Sequence, residues 1–319
     1  MNDILAALRA AGEETRLRLL ALCDRADLTV SDLTRILGQS QPRISRHLKV
    51  LCDSNLLTRL REGSWVFFRL ERQGPIATLI EQILAQLPAD DPVLLRDRAR
   101  LEAVQTERAS AAQAYFRDNA AQWNAIRSLY VEDAAVEEAL VAILSGGNAD
   151  YRLGHLLDIG TGTGRMLSLL GGHADSAVGI DQSREMLALA RTALEDAGLR
   201  NCLVRQGDMY ALPVDDASMT VVIIHQVLHF AETPAAAIAE AARVLAPGGR
   251  LMVVDFAPHD LEYLRDQHNH RRLGFSVEEV EDWCRRAALS PLSTHDLAGR
   301  PQAGQSLTVR LWLAERPAT

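Results

Sequence analysis

The stretch Leu156-Leu157-Asp158-Ile159-Gly160-Thr161-Gly162-Thr163-Gly164 is a short apolar run closed by an aspartate and followed by glycines at alternate positions. An apolar run of this length suits a buried strand. The glycines permit a tight turn and a close approach of backbone to a ligand at the N-terminus of the next helix. Working outward, further apolar runs fall at 177–180, 202–205, 220–224 and 250–254, separated by helical patterns near 165–170, 184–197 and 235–245. This alternation predicts a doubly wound parallel sheet, an α/β fold, in residues 151–319. Ligands of such sheets lie beyond the carboxyl ends of the strands. Asp181 ends the second strand 23 residues after Asp158, where a carboxylate can grip ribose hydroxyls.

The loop reads G-x-G-x-G after an aspartate. A dinucleotide fingerprint is G-x-G-x-x-G, and a phosphate-binding loop ends in Lys-Ser/Thr, so neither matches. The pattern resembles the class I S-adenosylmethionine-dependent methyltransferases. Three more segments agree: Gln206-Gly207-Asp208-Met209, Leu212-Pro213-Val214-Asp215-Asp216 and Val244-Leu245-Ala246-Pro247-Gly248-Gly249-Arg250. The resemblance implies a Rossmann-like domain binding S-adenosylmethionine or S-adenosylhomocysteine. It places Asp158, Gly160, Thr161, Gly162 and Gly164 at the methionyl end and Asp181 at the ribose, flanked by Gln182 and Ser183. Gly207, Asp208 and Met209 meet the adenine, and His225 is counted with this set.

Catalytic residues are harder to assign, because methyl transfer from a sulfonium needs in-line positioning, and a base only where the acceptor must lose a proton. His225 and His229 after the fourth strand and His259 after the fifth are the candidates, and none forms a recognised triad. His229 stands where related methyltransferases often have a structural histidine. The cluster His268-Asn269-His270-Arg271-Arg272 either binds an anionic substrate or is simply exposed. Arsenite methylation calls for a cysteine set, whereas this part of the chain holds only Cys202 and Cys284. No metal is expected.

The first 88 residues read differently. Ile4, Leu5 and Leu8 mark one helix; Thr15 can cap a second carrying Leu17, Leu19, Leu20 and Leu22; Leu33, Ile36 and Leu37 mark a third that Gly38 ends. Ser40 can cap the next helix, with Pro42 in its first turn and Ile44, Leu48 and Leu51 on its inner face. The alternation of 56–60 and 65–70 about Gly63 predicts a hairpin. Residues 38–72 hold seven basic side chains against three acidic ones. On charge alone the patch is either a phosphate contact or a solvated face. Helix, turn, helix and basic hairpin make a winged helix-turn-helix, a separate small α+β domain. Its candidate DNA contacts are Ser40, Gln41, Arg43, Ser45, Arg46, His47 and Lys49 on the helix, with Arg59, Arg61 and Arg69 on the wing.

This region resembles the arsenic-repressor (ArsR) family, from Gly12-Glu13-Glu14-Thr15-Arg16-Leu17-Arg18-Leu19-Leu20 through Ser45-x-His47-Leu48-x-x-Leu51 to the wing. The resemblance implies a dimer that binds double-stranded operator DNA. Ile76, Leu79, Ile80, Ile83, Leu84 and Leu87 offer a helical stripe for the interface, although such a stripe can equally pack on its own domain. Many metal-sensing members carry Cys-Val-Cys ahead of the recognition helix. Here the matching segment is Asp27-Leu28-Thr29-Val30-Ser31-Asp32-Leu33, whose hydroxyls do not hold soft metals. Cys23 and Cys52 read as core thiols.

Between the two lies a helical connector or lid, residues 89–150, opened by Pro88-Ala89-Asp90-Asp91-Pro92. Its aromatic residues, Tyr115, Phe116, Trp123 and Tyr130 among them, are either core or a lid over the ligand. The whole chain, 319 residues with net charge -8 and 48% hydrophobic residues, is of ordinary globular composition, which excludes collagen and disorder. Its longest uncharged stretch, 217–231, contains two histidines and a glutamine and is too short to span a bilayer. With no signal-like start and cysteines far apart, a cytoplasmic protein is expected. The leading expectation is a transcriptional regulator, a repressor whose methyltransferase-like domain senses S-adenosylmethionine or S-adenosylhomocysteine. The alternative is a working small-molecule methyltransferase, either bifunctional or using its winged helix to dimerise.

Overall fold

The computed structural model describes residues 2–62, 65–72, 74, 76–119, 133–299 and 307–318. Two compact units divide near residue 111. The first contains helices α1 (Asn2–Ala11), α2 (Glu14–Cys23), α3 (Val30–Leu37), α4 (Gln41–Asp53), α5 (Ala77–Ala85) and the start of α6 (Pro92–Asn119). Its strands are β1 (Leu28–Thr29), β2 (Leu57–Glu62) and β3 (Trp65–Leu70), in sheet order β1-β3-β2. The hairpin β2-β3 is in register as the alternation predicts, Arg59 opposite Phe68 and Arg61 opposite Val66. The short β1 was not legible in advance; it pairs Leu28 with Phe68.

Local chemistry accounts for the helix ends. Thr29 and Asp32 cap each other at the start of α3, and Gly38, in the left-handed region, closes it. Thr15 does not cap α2: Glu13 does, accepting from the Arg16 amide at 2.9 Å, while Thr15 is buried one position into the helix. Ser40 occupies the N-cap position of α4 without a side-chain bond. Ile76 and Ile80 of the α5 stripe are buried in their own unit, whereas Leu79, Ile83, Leu84 and Leu87 are half-buried.

Helix α6 was expected to be a connector, yet it supplies Leu101 and Val104 to the core of the first unit. Its Asp97 accepts two bonds from the Arg18 guanidinium, at 2.6 and 2.8 Å, with both residues buried. Of the aromatic residues proposed for a lid, Trp123 and Tyr130 lie outside the described residues, as do the side chains of Tyr115 and Phe116.

The second unit contains α7 (Asp133–Ser145), β4 (Gly154–Ile159), α8 (Arg165–Leu170), β5 (Ala174–Asp181), α9 (Arg184–Asp196), β6 (Cys202–Gln206) and β7 (Met219–His225). After these come α10 (Pro234–Val244), β8 (Leu245–Phe256), α11 (Tyr263–His268), α12 (Val277–Arg286), β9 (Ser290–Ala298) and β10 (Thr308–Glu315). The seven strands run in the order β6-β5-β4-β7-β8-β10-β9, with β10 antiparallel to both its neighbours. Period-two alternation sorts the central strands between two cores. Leu156, Val221, Ile223, Met252 and Val254 pack with α7 and α8, and Leu157, Val222, Ile224, Leu251 and Val253 with α10 and α12. The order reverses at β4, which pairs with β5 on one side and β7 on the other, so a crevice opens beyond the glycine loop.

Candidate functional site

The turn after β4 is held by the backbone of β5. The Gly160 and Thr161 amides both donate to the Ile180 carbonyl, at 2.7 and 3.0 Å, and the Thr161 hydroxyl donates to Asp158 Oδ2 at 2.6 Å. Gly160, Gly162 and Gly164 have φ of 71°, 53° and 80°. At Gly160 an added Cβ would overlap the Val227 side chain. Gly160→Ala is expected to cost about 1–2 kcal/mol for the left-handed backbone and about 1–3 kcal/mol for overpacking. Urea unfolding of the second unit measures the sum.

Asp181 ties loop and strand together. Its Oδ2 accepts from the Gly162 amide at 2.9 Å and its Oδ1 from the Ser183 amide at 2.8 Å. Burial raises its pKa, against the lowering effect of the Ser183, Gly162 and Gln182 backbone donors. Ser183 caps α9, and the Gln182 carbonyl accepts from the Gln206 side chain at 3.1 Å. Gly207 donates to the Asp181 carbonyl, Asp208 is exposed and caps the Tyr210 amide, and Met209 is half-buried. The crevice thus gathers Asp158, Asp181 and Asp208 around a glycine turn. That set of carboxylate acceptors repels a phosphate and suits a ligand with a ribose diol and an ammonium group to donate. S-adenosylmethionine and S-adenosylhomocysteine have both.

Sequence reasoning missed two carboxylates. Glu137 of α7 makes a bidentate pair with Arg165, both bonds 2.6 Å, directly after the last glycine of the loop. Asp255, near the end of β8, is fully buried; its Oδ1 lies 2.7 Å from His229 Nδ1. An acid near a strand's carboxyl end, as at Asp158 and Asp181, was the available signal. His225 is buried at the end of β7, next to Gln226, whose φ of 53° is unusual for a residue with a side chain. The cluster at 268–272 is not a free basic surface: Arg271 pairs with Glu232 at 2.9 Å and Arg272 with Glu279 at 3.0 Å, with both arginines buried. Burial lowers the pKa of His259 to about 4 and that of His270 well below 6.5.

In the first unit α4 buries Ile44, Leu48 and Leu51 and leaves Gln41, Arg43, Ser45, Arg46 and Lys49 exposed, beside exposed Ser40. His47 is half-buried, 3.6 Å from Glu13; burial lowers its pKa more than Glu13 raises it. Arg59 and Arg61 are exposed on β2. Arg69 stands apart from this set, held by Asp27 through bonds of 2.8 and 2.6 Å. Cys23, Cys202 and Cys284 are buried; burial raises all three thiol pKa values, that of Cys284 to about 12. Among the described residues no helix is long and apolar enough to cross a membrane.

Comparison with known proteins matches these two units separately. Residues 13–59 match the arsR family of bacterial regulatory proteins, and residues 157–253 a methyltransferase domain. The arsenical resistance operon repressor of Bacillus subtilis is 34% identical over 76 residues, covering 24% of this chain and 72% of its own. That of Escherichia coli is 47% identical over 64 residues, covering 20% of this chain and 55% of its own. The uncharacterized methyltransferase YcgJ of Bacillus subtilis is 28% identical over 155 residues, 47% of this chain. The chain spans 61% of YcgJ's length, less than two thirds. Among solved structures, a Haloferax volcanii protein described as a methyltransferase, in complex with its Trm112 activator, has a TM-score of 0.54 at 20% identity. It is matched over 65% of this chain and 97% of its own. At this identity the likeness shows the fold.

Proposed function

Because the chain belongs to the arsR family of bacterial regulatory proteins and carries a methyltransferase domain behind its winged helix, we propose that it is a ligand-responsive repressor. Its signal is S-adenosylmethionine or S-adenosylhomocysteine, bound at the crevice between Asp158 and Asp208. The supporting observation is α4, whose inner face is fully buried while Arg43, Arg46 and Lys49 stay exposed, in the same chain as an acidic glycine crevice. In this reading the protein acts in the cytoplasm as a homodimer, using α5 and the exposed Ile4, Leu5 and Leu8 of α1. The domains proposed at 1–88 and 151–319 are joined by residues 89–150, whose helices α6 and α7 also pack in the cores of the first and second unit respectively, and this segment carries the signal. A hundredfold change in operator affinity requires about 2.7 kcal/mol of coupling.

Fluorescence anisotropy on DNA from upstream of the gene, without ligand and with each nucleoside, tests the proposal. A specific, salt-sensitive affinity that one ligand shifts at least tenfold is the expected result; specific binding indifferent to both would refute the sensor. Arg46→Ala should weaken operator binding by about 1–3 kcal/mol and leave nucleoside affinity unchanged. The second reading, a working methyltransferase, draws support from the His229–Asp255 pair.

A further inference from the structure

We propose that the carboxyl ends of β7 and β8 form a binding site for a phenolic methyl acceptor, with His229 as the base that takes its hydroxyl proton. The proposal rests on nucleoside binding by the second unit and is independent of any DNA response.

Three histidine side chains carry the argument. The buried Asp255 carboxylate accepts from the backbone amides of Phe256 and His229, at 2.8 and 3.3 Å, and faces His229 Nδ1 at 2.7 Å. A carboxylate facing Nδ1 favours the tautomer with its hydrogen there, and in that neutral ring Nε2 is the acceptor. Among the described residues nothing bonds that Nε2. His259 is the complement. Its Nδ1 accepts from the Leu261 amide at 3.2 Å, so Nε2 carries the hydrogen, and this Nε2 is buried without a partner. His270, 8% exposed, stacks on His229 at 4.1 Å and buries an unpartnered Nδ1. Unsatisfied buried polar atoms are costly and rare, and two of them, on His259 and His270, beside the His229 ring and around one phenylalanine call for an occupant.

The occupant's chemistry follows from the tautomers. A hydroxyl can donate to His229 Nε2 and accept from His259 Nε2–H. A carboxylate has no proton for the first, and an ammonium no lone pair for the second. An anionic acceptor finds the nearby Arg271 and Arg272 already paired with Glu232 and Glu279. The walls are aromatic: the Phe256 ring is 5.1 Å from that of His229 and 5.9 Å from that of His259, and Phe230 is 4.1 Å from His229. An aromatic hydroxyl suits both. The site also adjoins the glycine loop, since Gly160 packs on Val227, two residues before His229.

The step balances without further reactants. The phenol oxygen attacks the sulfonium methyl, forming C–O as C–S breaks, and the thioether leaves with the bonding pair as S-adenosylhomocysteine. The hydroxyl proton passes to His229 Nε2, and Asp255 stabilises the resulting imidazolium before it releases the proton to water. Asp255 is a positioning residue that sets the tautomer.

Phenol itself is the probe. Titrated into full-length protein saturated with S-adenosylhomocysteine, with saturation checked by calorimetry, it should shift the ring nitrogen resonances of His229 and His259 saturably in the millimolar range. With radiolabelled S-adenosylmethionine the wild type should form labelled anisole, and His229→Asn should do so at least about 100-fold more slowly. Asp255→Asn should move the His229 proton from Nδ1 to Nε2 in the same spectra and slow anisole formation as His229→Asn does, with nucleoside affinity unchanged, a combination that a merely structural carboxylate would not give. Ring signals that phenol leaves unmoved, in protein shown by calorimetry to hold its nucleoside, mean a site for water only and overturn the proposal. Saturable shifts without anisole overturn the catalytic half. Absence of nucleoside binding in the calorimetry would instead count against the proposed function.

Discussion

Asp181→Ala is expected to lower S-adenosylhomocysteine affinity by about 100-fold or more, while the ligand-free protein binds operator as before. Two ribose hydroxyls donating to a charged carboxylate contribute about 1.5–3 kcal/mol each, and about 2.7 kcal/mol already makes a hundredfold. The substitution also removes the acceptor for the Gly162 and Ser183 amides, so the loop loses its anchor as well as the proposed ligand contact. Titration calorimetry measures the loss. Unchanged affinity would place the nucleoside elsewhere. Because burial raises the Asp181 pKa, acidification should protonate it, and weaken binding, at a higher pH than for an ordinary aspartate. The protonated carboxyl keeps one acceptor oxygen but loses the charge that strengthens both bonds.

Breaking the buried pair Arg18–Asp97 should have a comparable effect on the other unit. Arg18 is 8% exposed and Asp97 2%, and the two bonds are 2.6 and 2.8 Å. Arg18→Ala strands a carboxylate out of water and should destabilise the first unit by about 3–5 kcal/mol, whereas replacing both partners with apolar residues of similar volume should be close to neutral. Urea unfolding followed through this unit separates the two. If the single variant cost no more than the double, solvent would have to reach Asp97. The pair also anchors α6, so Arg18→Ala should expose the α6 amides around Asp97 to hydrogen exchange before the rest of the unit opens.

Much of the candidate site was legible in the residues themselves. Glycines at 160, 162 and 164 carry their meaning locally, since three left-handed φ values after a strand leave few alternatives. The acids at 158 and 181 stand at strand ends that the short apolar runs had already located. The face of α4 follows from the spacing of Ile44, Leu48 and Leu51, which decides that Arg43, Arg46 and Lys49 point outward. By contrast, nothing in the spacing distinguished Arg69, spent on Asp27, from exposed Arg59 and Arg61, or buried Arg271 and Arg272 from a free basic cluster.

The amino-acid sequence by itself therefore determined two fold classes, their order in the chain and the glycine loop proposed to receive a nucleoside, because each rests on periodicity and turn chemistry within a few residues. Tertiary structure alone decided which charges are spent and which ring nitrogens are open. His229 meets Asp255 across 26 residues and Arg18 meets Asp97 across 79. Such pairings depend on where packed elements bring side chains together, and no local pattern encodes that.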